Sequence, residues 1–515
     1  MAKIKIYDTT LRDGTQGEEI SLSSQEKLRI AEELDKMGFD YIEGGWPGSN
    51  AKDKEFFAKA KAVKFKYAKL AAFSMTKRKN ISIKDDQNMQ ELLAAETPVV
   101  TIVGKAWDIH VDVVLKTTKE ENLNMIYETI KFFKDKNKEV IFDAEHYFDG
   151  FKSDKDYALQ TLKKAEEAGA SCVVLCDTNG GTMPDELSKI IKETKQEIKT
   201  ELGIHCHNDS GLAVANTIAA VQNGITHVQG TINGVGERTG NSDLVPIIAN
   251  LQLKLGFDCI KNISQLKQLS NFVYELMNLI PNKKQPYVGE SAFAHKGGMH
   301  VDAVTKDPVT YEHIEPKTVG NIRRILASDL SGKSNILEKS REFNIPLDDE
   351  EGKKITVLVK EKESRGYHYE AADASLALLM LKNKKSYRPL FKTERFNVMT
   401  ERHEGIDINK ASITVAVGDY RLETCSDGKG PVDALNKALR KAIIRFYPDL
   451  EKIHLTDFKV RIVDGNKATE ATTRVLIEST DGNNIWTTIG VSNDIIAASY
   501  EALVEGIEYG LLKIF

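Results

Sequence analysis

His205 and His207 stand one residue apart. In an extended strand that spacing turns both imidazoles to the same side, as two ligands of one metal ion require. Taken alone, an H-x-H pair is equally well explained by two hydrogen-bonded histidines, so its position in the fold has to decide. Asp13, just after an apolar N-terminal run, offers an anionic oxygen. Asn241, at the end of the glycine-rich stretch Gly234-Val-Gly-Glu-Arg-Thr-Gly-Asn241, adds a neutral carbonyl oxygen. Mixed nitrogen and oxygen ligation of this kind suits Mg, Mn, Co or Zn.

The elements that would position these residues follow from the hydrophobic pattern. Short apolar, β-branched runs occur near Ile4–Tyr7, Tyr41–Gly44, Leu70–Phe73, Val99–Val103, Val140–Phe142, Cys172–Leu175, Leu202–His205 and His227–Ile232. They read as eight strands. Between them lie apolar residues at helical spacing, such as Leu28-Ala31-Leu34-Met37 and Leu159-Leu162-Ala165. Gly38, Gly169, Gly203, Gly224 and Gly256 are expected to cap helices in the left-handed conformation. Eight strand-helix units within about 250 residues predict a (β/α)8 TIM barrel, whose chemistry gathers at the C-terminal ends of its strands. Arg12, Asp13, Glu43, Ser74, Glu145, Asp177, Thr178, His205 and His207 all fall at such ends.

Composition narrows the function further. A chain of 515 residues exceeds the roughly 250–300 residues one core supports, so two or three domains are expected. Acidic and basic residues are interspersed and the net charge is only -5, which predicts no nucleic-acid partner. No run is long and apolar enough to cross a membrane. The five cysteines are scattered and odd in number, which suggests no disulfide framework and fits a cytoplasmic protein. The string Ser331-Gly-Lys-Ser334 lacks the upstream glycine of a P-loop, Ala327 standing in its place. The glycines between Gly230 and Gly240 miss the dinucleotide spacing.

Three motifs, Asp8-Thr-Thr-Leu-Arg-Asp-Gly14, His205-Cys-His-Asn208 and Gly236-Glu-Arg-Thr-Gly-Asn241, resemble the DRE-TIM metallolyase family. That superfamily includes isopropylmalate and homocitrate synthases, hydroxymethylglutaryl-CoA lyase and carboxylase domains. Ala292-Phe-Ala-His-Lys-Gly-Gly-Met-His300 and Thr310-Tyr-Glu-His-Ile314 are similar to a segment of its acyl-CoA condensing branch, so the likeness runs almost the whole length. The segments Ile42–Asn50, Phe142–His146 and Val319-Gly-Asn321 through Leu330–Asn335 are most similar to the group acting on pyruvate. The resemblance implies a metal-dependent condensation of acetyl-CoA with pyruvate, in the route to isoleucine. Isopropylmalate or homocitrate synthesis is the alternative, and a lyase ranks below both. It implies that Asp13, His205, His207 and Asn241 hold the divalent metal and that Arg12 contacts the ketone oxygen. Thr178 and Gln16 would bind substrate, and Glu145 would enolise the acetyl methyl with His300 and Tyr311 assisting.

Beyond about residue 340 the alternation stops. Domain bounds are expected at 1–270 for the barrel, 271–386 for a linker with helical subdomains completing the site, and 387–515 for a C-terminal α+β domain. In the last, Ala411–Val417, Tyr420–Cys425 and the helix Val432–Phe446 are echoed by Thr473–Glu478, Trp486–Val491 and Ile495–Leu512, an internal repeat of two strands and a helix. The resemblance implies that this domain is regulatory, pairs two chains in a homodimer and binds isoleucine as inhibitor.

Overall fold

In the computed structural model, which describes residues 2–514, eight parallel strands close into a barrel in sequence order. They are β1 (Lys5–Asp8), β2 (Tyr41–Glu43), β3 (Lys69–Met75), β4 (Val99–Lys105), β5 (Glu139–Glu145), β6 (Cys172–Asp177), β7 (Glu201–Cys206) and β8 (His227–Gly230). β8 pairs back onto β1, with Ile6 opposite Val228. Every residue of β6 is buried, because a parallel strand is covered by helices on one face and by the barrel interior on the other. This explains why the strands read as unbroken apolar runs.

The helix Ser24–Met37 shows how local signals set the intervening elements. Ser23 and Glu26 close a capping box at its start, and Gly38 ends it at φ 87°. Its buried side chains, Leu28, Ile30, Ala31, Leu34 and Met37, recur at the spacing of one helical face. Gly169, Gly224 and Gly256 likewise take positive φ. Gly203 does not. It lies inside β7, where a Cβ would meet Val174 Cγ2 at 2.8 Å and His227 Cδ2 at 3.0 Å. Its role is close packing across the barrel rather than a cap.

The chain divides into two compact units, one ending at Phe293 with Glu315–Ile322 added, the other comprising Ala294–Ile314 and the chain from Arg323 onward. In the second, β9 (Ala294–His295) pairs with β10 (Arg324–Ile325). The helices Lys333–Glu342, Asp349–Ser364 and Asp373–Lys382 follow, with Ile336, Ile355, Val359, Leu376 and Met380 in their core.

The C-terminal repeat differs from expectation in having three strands per copy. β11 (Lys392–His403), β12 (Ile406–Val417) and β13 (Tyr420–Gly428) precede the helix Pro431–Ile443; β14 (His454–Ile462), β15 (Thr473–Thr480) and β16 (Ile485–Ser492) precede Ile495–Ile514. Both sheets are antiparallel. The first strand of each copy escapes notice because most of its residues are exposed and polar or charged, and its apolar alternation is short. Leu435, Leu439, Trp486, Leu503 and Ile507 belong to the core under the sheets. Among the described residues, no helix is long and apolar enough to cross a membrane.

Candidate metal centre and catalytic pocket

Three side chains meet at the C-terminal mouth of the barrel. Asp13 follows β1, His205 lies in β7, and His207 lies one residue beyond it, bridged to Asn241. Asp13 Oδ2 is 3.4 Å from His205 Nε2 and 3.9 Å from His207 Nε2, and the two Nε2 atoms are 3.4 Å apart. All three residues are buried, and one ligand atom from each lies within 4.8 Å of the others. His205 Nδ1 is 3.1 Å from Gln229 Oε1, and Gln229 donates in turn to Asp143 at 3.0 Å. With both Gln229 groups so engaged, an Nδ1–H donated to Gln229 would leave the Nε2 lone pair of His205 free to ligate an ion beside Asp13 and His207.

One further atom fits a cation. Asn241 Oδ1 is buried without a hydrogen-bond partner among the described residues, while Asn241 Nδ2 donates to the Val235 carbonyl at 3.2 Å. A buried acceptor left unpaired costs about 1–3 kcal/mol, which coordination by Asn241 Oδ1 would offset. Burial and the neighbouring His205 push His207 down to about 4, into the neutral form that ligates. Burial opposes ionisation of Asp13, yet Arg12 and the histidines hold its carboxyl well below the usual range. Asn241 owes its place to the turn before it. Gly240 has φ 95°, and a Cβ there would sit 2.0 Å from the Gly234 carbonyl oxygen.

Around this trio lies a cavity of about 290 Å³. Arg12 crosses its floor, its Nε donating to the fully buried Glu43 and its guanidinium 3.9 Å above the Phe73 ring. Tyr7 also donates to Glu43, at 2.6 Å. Burial works against the Arg12 charge, but Glu43 and Asp13 raise its proton affinity instead. Thr178 lines the cavity, its Oγ1 accepting from the His146 amide at 2.9 Å. Arg238 donates to the Thr178 carbonyl at 2.8 Å and grips Asp209 with two further bonds. At the neighbouring ends of β4 and β5, Lys105 pairs with Glu145.

Of the residues singled out from the sequence, Arg12, Asp13, Gln16, Glu145, Thr178, His205 and His207 line this one cavity, and Asn241 adjoins it through His207. His300 and Tyr311 belong to the other unit, where their rings stack at 4.2 Å. Asp177 turns instead to Thr182, accepting at 2.8 Å, and Ser74 is fully buried. Sequence reasoning missed Lys105, Asp143, Gln229 and Arg238. The strand-end rule that selects Glu145 applies equally to Lys105, whereas nothing local marks Gln229 or Asp143 as pointing inward.

A closed parallel barrel carrying an aspartate and two histidines at its C-terminal mouth, beside an arginine and a glutamate, defines a TIM-barrel enzyme built around a metal site. Comparison with known proteins carries this further. The model of the HMGL-like family matches residues 3–273, more than half of the chain. A homocitrate synthase post-HMGL domain-like model matches 287–366, and the LeuA allosteric (dimerisation) domain matches 370–511. The chain is 52% identical to an (R)-citramalate synthase of Aquifex aeolicus, covering 99% of this chain and 98% of that protein. It is 51% identical to one of Geobacter sulfurreducens, covering 100% and 98%. It is 33% identical to a probable 2-isopropylmalate synthase of Methanopyrus kandleri, covering 98% of each. The chain belongs to the HMGL-like family, in the branch that includes the (R)-citramalate synthases.

Proposed function

We infer that the chain is an (R)-citramalate synthase: an acyltransferase that condenses acetyl-CoA with pyruvate and hydrolyses the thioester, releasing citramalate and CoA. The observation that carries this is similarity over the whole length, at 44–52% identity, to five (R)-citramalate synthases, against 32–33% to 2-isopropylmalate synthases.

The condensation needs a polarised ketone, a proton taken from a weakly acidic methyl group, and compensation for the oxyanions formed. Asp13, His205, His207 and Asn241 would hold a divalent ion, Mn, Mg, Co or Zn, which supplies Lewis-acid polarisation of the ketone. Arg12, locked by Glu43 and Phe73, directs its remaining N–H groups to the ketone oxygen. Thr178 and Gln16 bind the carboxylate of the oxo acid. Glu145 takes the methyl proton, and His300 and Tyr311 assist its transfer. The five cysteines are free, four of them buried, which suits a cytoplasmic enzyme. The C-terminal domain pairs two chains as a homodimer and binds isoleucine, the end product, as inhibitor.

Release of CoA from acetyl-CoA tests the reading, with Mn or Mg present and pyruvate, 2-oxobutyrate, 2-oxoisovalerate and 2-oxoglutarate at matched concentrations. Pyruvate should give the largest kcat/KM. Preference for 2-oxoisovalerate or 2-oxoglutarate would make it an isopropylmalate or homocitrate synthase. Rates that do not fall on addition of isoleucine would remove the regulatory part alone.

A further inference from the structure

Three basic side chains line the barrel cavity: Arg12, Lys105 and Arg238. Two already serve other parts of the site. Arg12 is bound to Glu43, with its guanidinium 3.5 Å from Asp13, and Arg238 gives its donors to Asp209 and the Thr178 carbonyl. Lys105 has one carboxylate partner among the described residues, Glu145. Its side chain is only 19% exposed. The backbone around the pair is held on both sides: Asn122 donates to the Lys105 carbonyl at 2.8 Å, and the Ala106 amide donates to the Glu145 carbonyl at 3.1 Å. Lys105 and Glu145 are also register partners between β4 and β5.

An ammonium that did nothing except hold Glu145 would lose its one carboxylate partner as soon as Glu145 accepted a proton. The difficulty disappears if the same ammonium can follow the negative charge. When Glu145 accepts a proton from the acetyl methyl group, its charge vanishes and reappears on the thioester oxygen. A part-buried ammonium placed between the two positions faces one negative charge throughout, and so is never left buried without a partner.

We propose that Lys105 is a catalytic residue that hydrogen-bonds the thioester oxygen of the acyl donor and compensates the enolate formed when Glu145 removes the methyl proton. This rests on the synthase reading above, with Glu145 as base. The methyl C–H bond breaks, its proton goes to the Glu145 carboxylate, and its electron pair becomes the enolate double bond, with the charge on the thioester oxygen beside Lys105. The enolate carbon then attacks the ketone carbon, the thioester carbonyl reforms, and the charge moves to the former ketone oxygen near Arg12. The proton held by Glu145 passes to that alkoxide, making it a hydroxyl, and Lys105 returns to the regenerated carboxylate.

The test compares full-length wild type with K105M and K105R, in the Mn-loaded enzyme. It reads kcat, the KM for pyruvate, and the isotope effect on kcat when the acetyl methyl carries deuterium. Loss of one oxyanion donor should lower kcat by about 10²–10³-fold in K105M and leave the KM for pyruvate within about threefold. The isotope effect should rise, because proton abstraction becomes more strongly rate-limiting. K105R, which keeps a cationic donor, should recover at least about tenfold of the loss. An unchanged kcat in K105M, a loss expressed in the KM for pyruvate, or a loss with an unchanged isotope effect would each overturn the proposal. If K105M does not match wild type in thermal midpoint and metal content, K105Q gives the same readings with a neutral donor. Failure here is separable from failure of the synthase reading. Wild type that releases no CoA with any 2-oxo acid removes both, whereas active wild type beside an equally active K105M removes only the role of Lys105.

Discussion

At the barrel mouth, buried and half-buried carboxyl groups are each answered by a neighbouring side chain: Glu43 by Arg12 and Tyr7, Glu145 by Lys105, Asp143 by Gln229. Along the outer strands of the C-terminal sheets the opposite holds. Phe458 and Val460 stand opposite Ile477 and Val475 in β15, on the face that is buried there, yet remain 37% and 40% exposed; Ile462, next on that side, is 63% exposed. The carboxyl groups of the barrel mouth thus find their partners within the barrel, while β14 carries an apolar face that its own unit leaves uncovered. An uncovered apolar edge invites pairing with a second molecule, which agrees with the dimer we infer for a LeuA allosteric (dimerisation) domain. Catalysis and assembly thus depend on different kinds of interaction, and mutations should separate them.

The most damaging change should be His207→Ala. Removing one ligand should lower kcat by about a thousandfold or more and deplete bound metal; full activity in metal-stripped protein would contradict the centre altogether. Next comes Gln229→Leu, which frees His205 Nδ1 from its acceptor. It should cost about 10–100-fold in metal affinity or activity, read by metal titration, and an unaltered titration would show that His205 needs no orienting partner. Gly240→Ala forces a side chain into a left-handed backbone position against the Gly234 carbonyl. It should lower stability by about 1–2 kcal/mol and loosen metal binding through Asn241; thermal melts with and without Mn would reveal both. The smallest effect belongs to the other region. Phe458→Ala should weaken the dimer by about 1 kcal/mol in sedimentation equilibrium while the metal titration stays as in wild type, and if both moved together the two regions would not be independent.

Much of the barrel was legible because its signals are local. Runs such as Cys172–Leu175 are apolar on both faces, and Gly38 follows a helix whose buried residues recur at helical spacing. The expected metal residues come together because alternation along β7 and the position just after β1 are properties of short segments. What escaped was non-local or blurred by exposure. Gly203 looked like a helix cap, because a glycine between apolar runs reads alike whether it turns the chain or makes room for Val174 and His227. β11 and β14 were missed because most of their residues are exposed and polar or charged, so the short alternations Phe396-Asn-Val398 and Phe458-Lys-Val460-Arg-Ile462 lie in segments that read as surface.

By itself, the sequence determined the order of the barrel's strands and the chemical types waiting at the strand ends: Arg12, Asp13, Glu145, His205 and His207. Only tertiary structure decided which groups act on them. Glu43 reaches Arg12 across 31 residues, Gln229 reaches His205 across 24, and Lys105 reaches Glu145 across 40. These partnerships arise from the closure of the barrel, which brings distant strand ends within hydrogen-bonding distance in a part-buried, low-dielectric mouth. There a neighbouring charge alters protonation and orientation far more than it would in water, and no local pattern in the chain encodes which neighbour that will be.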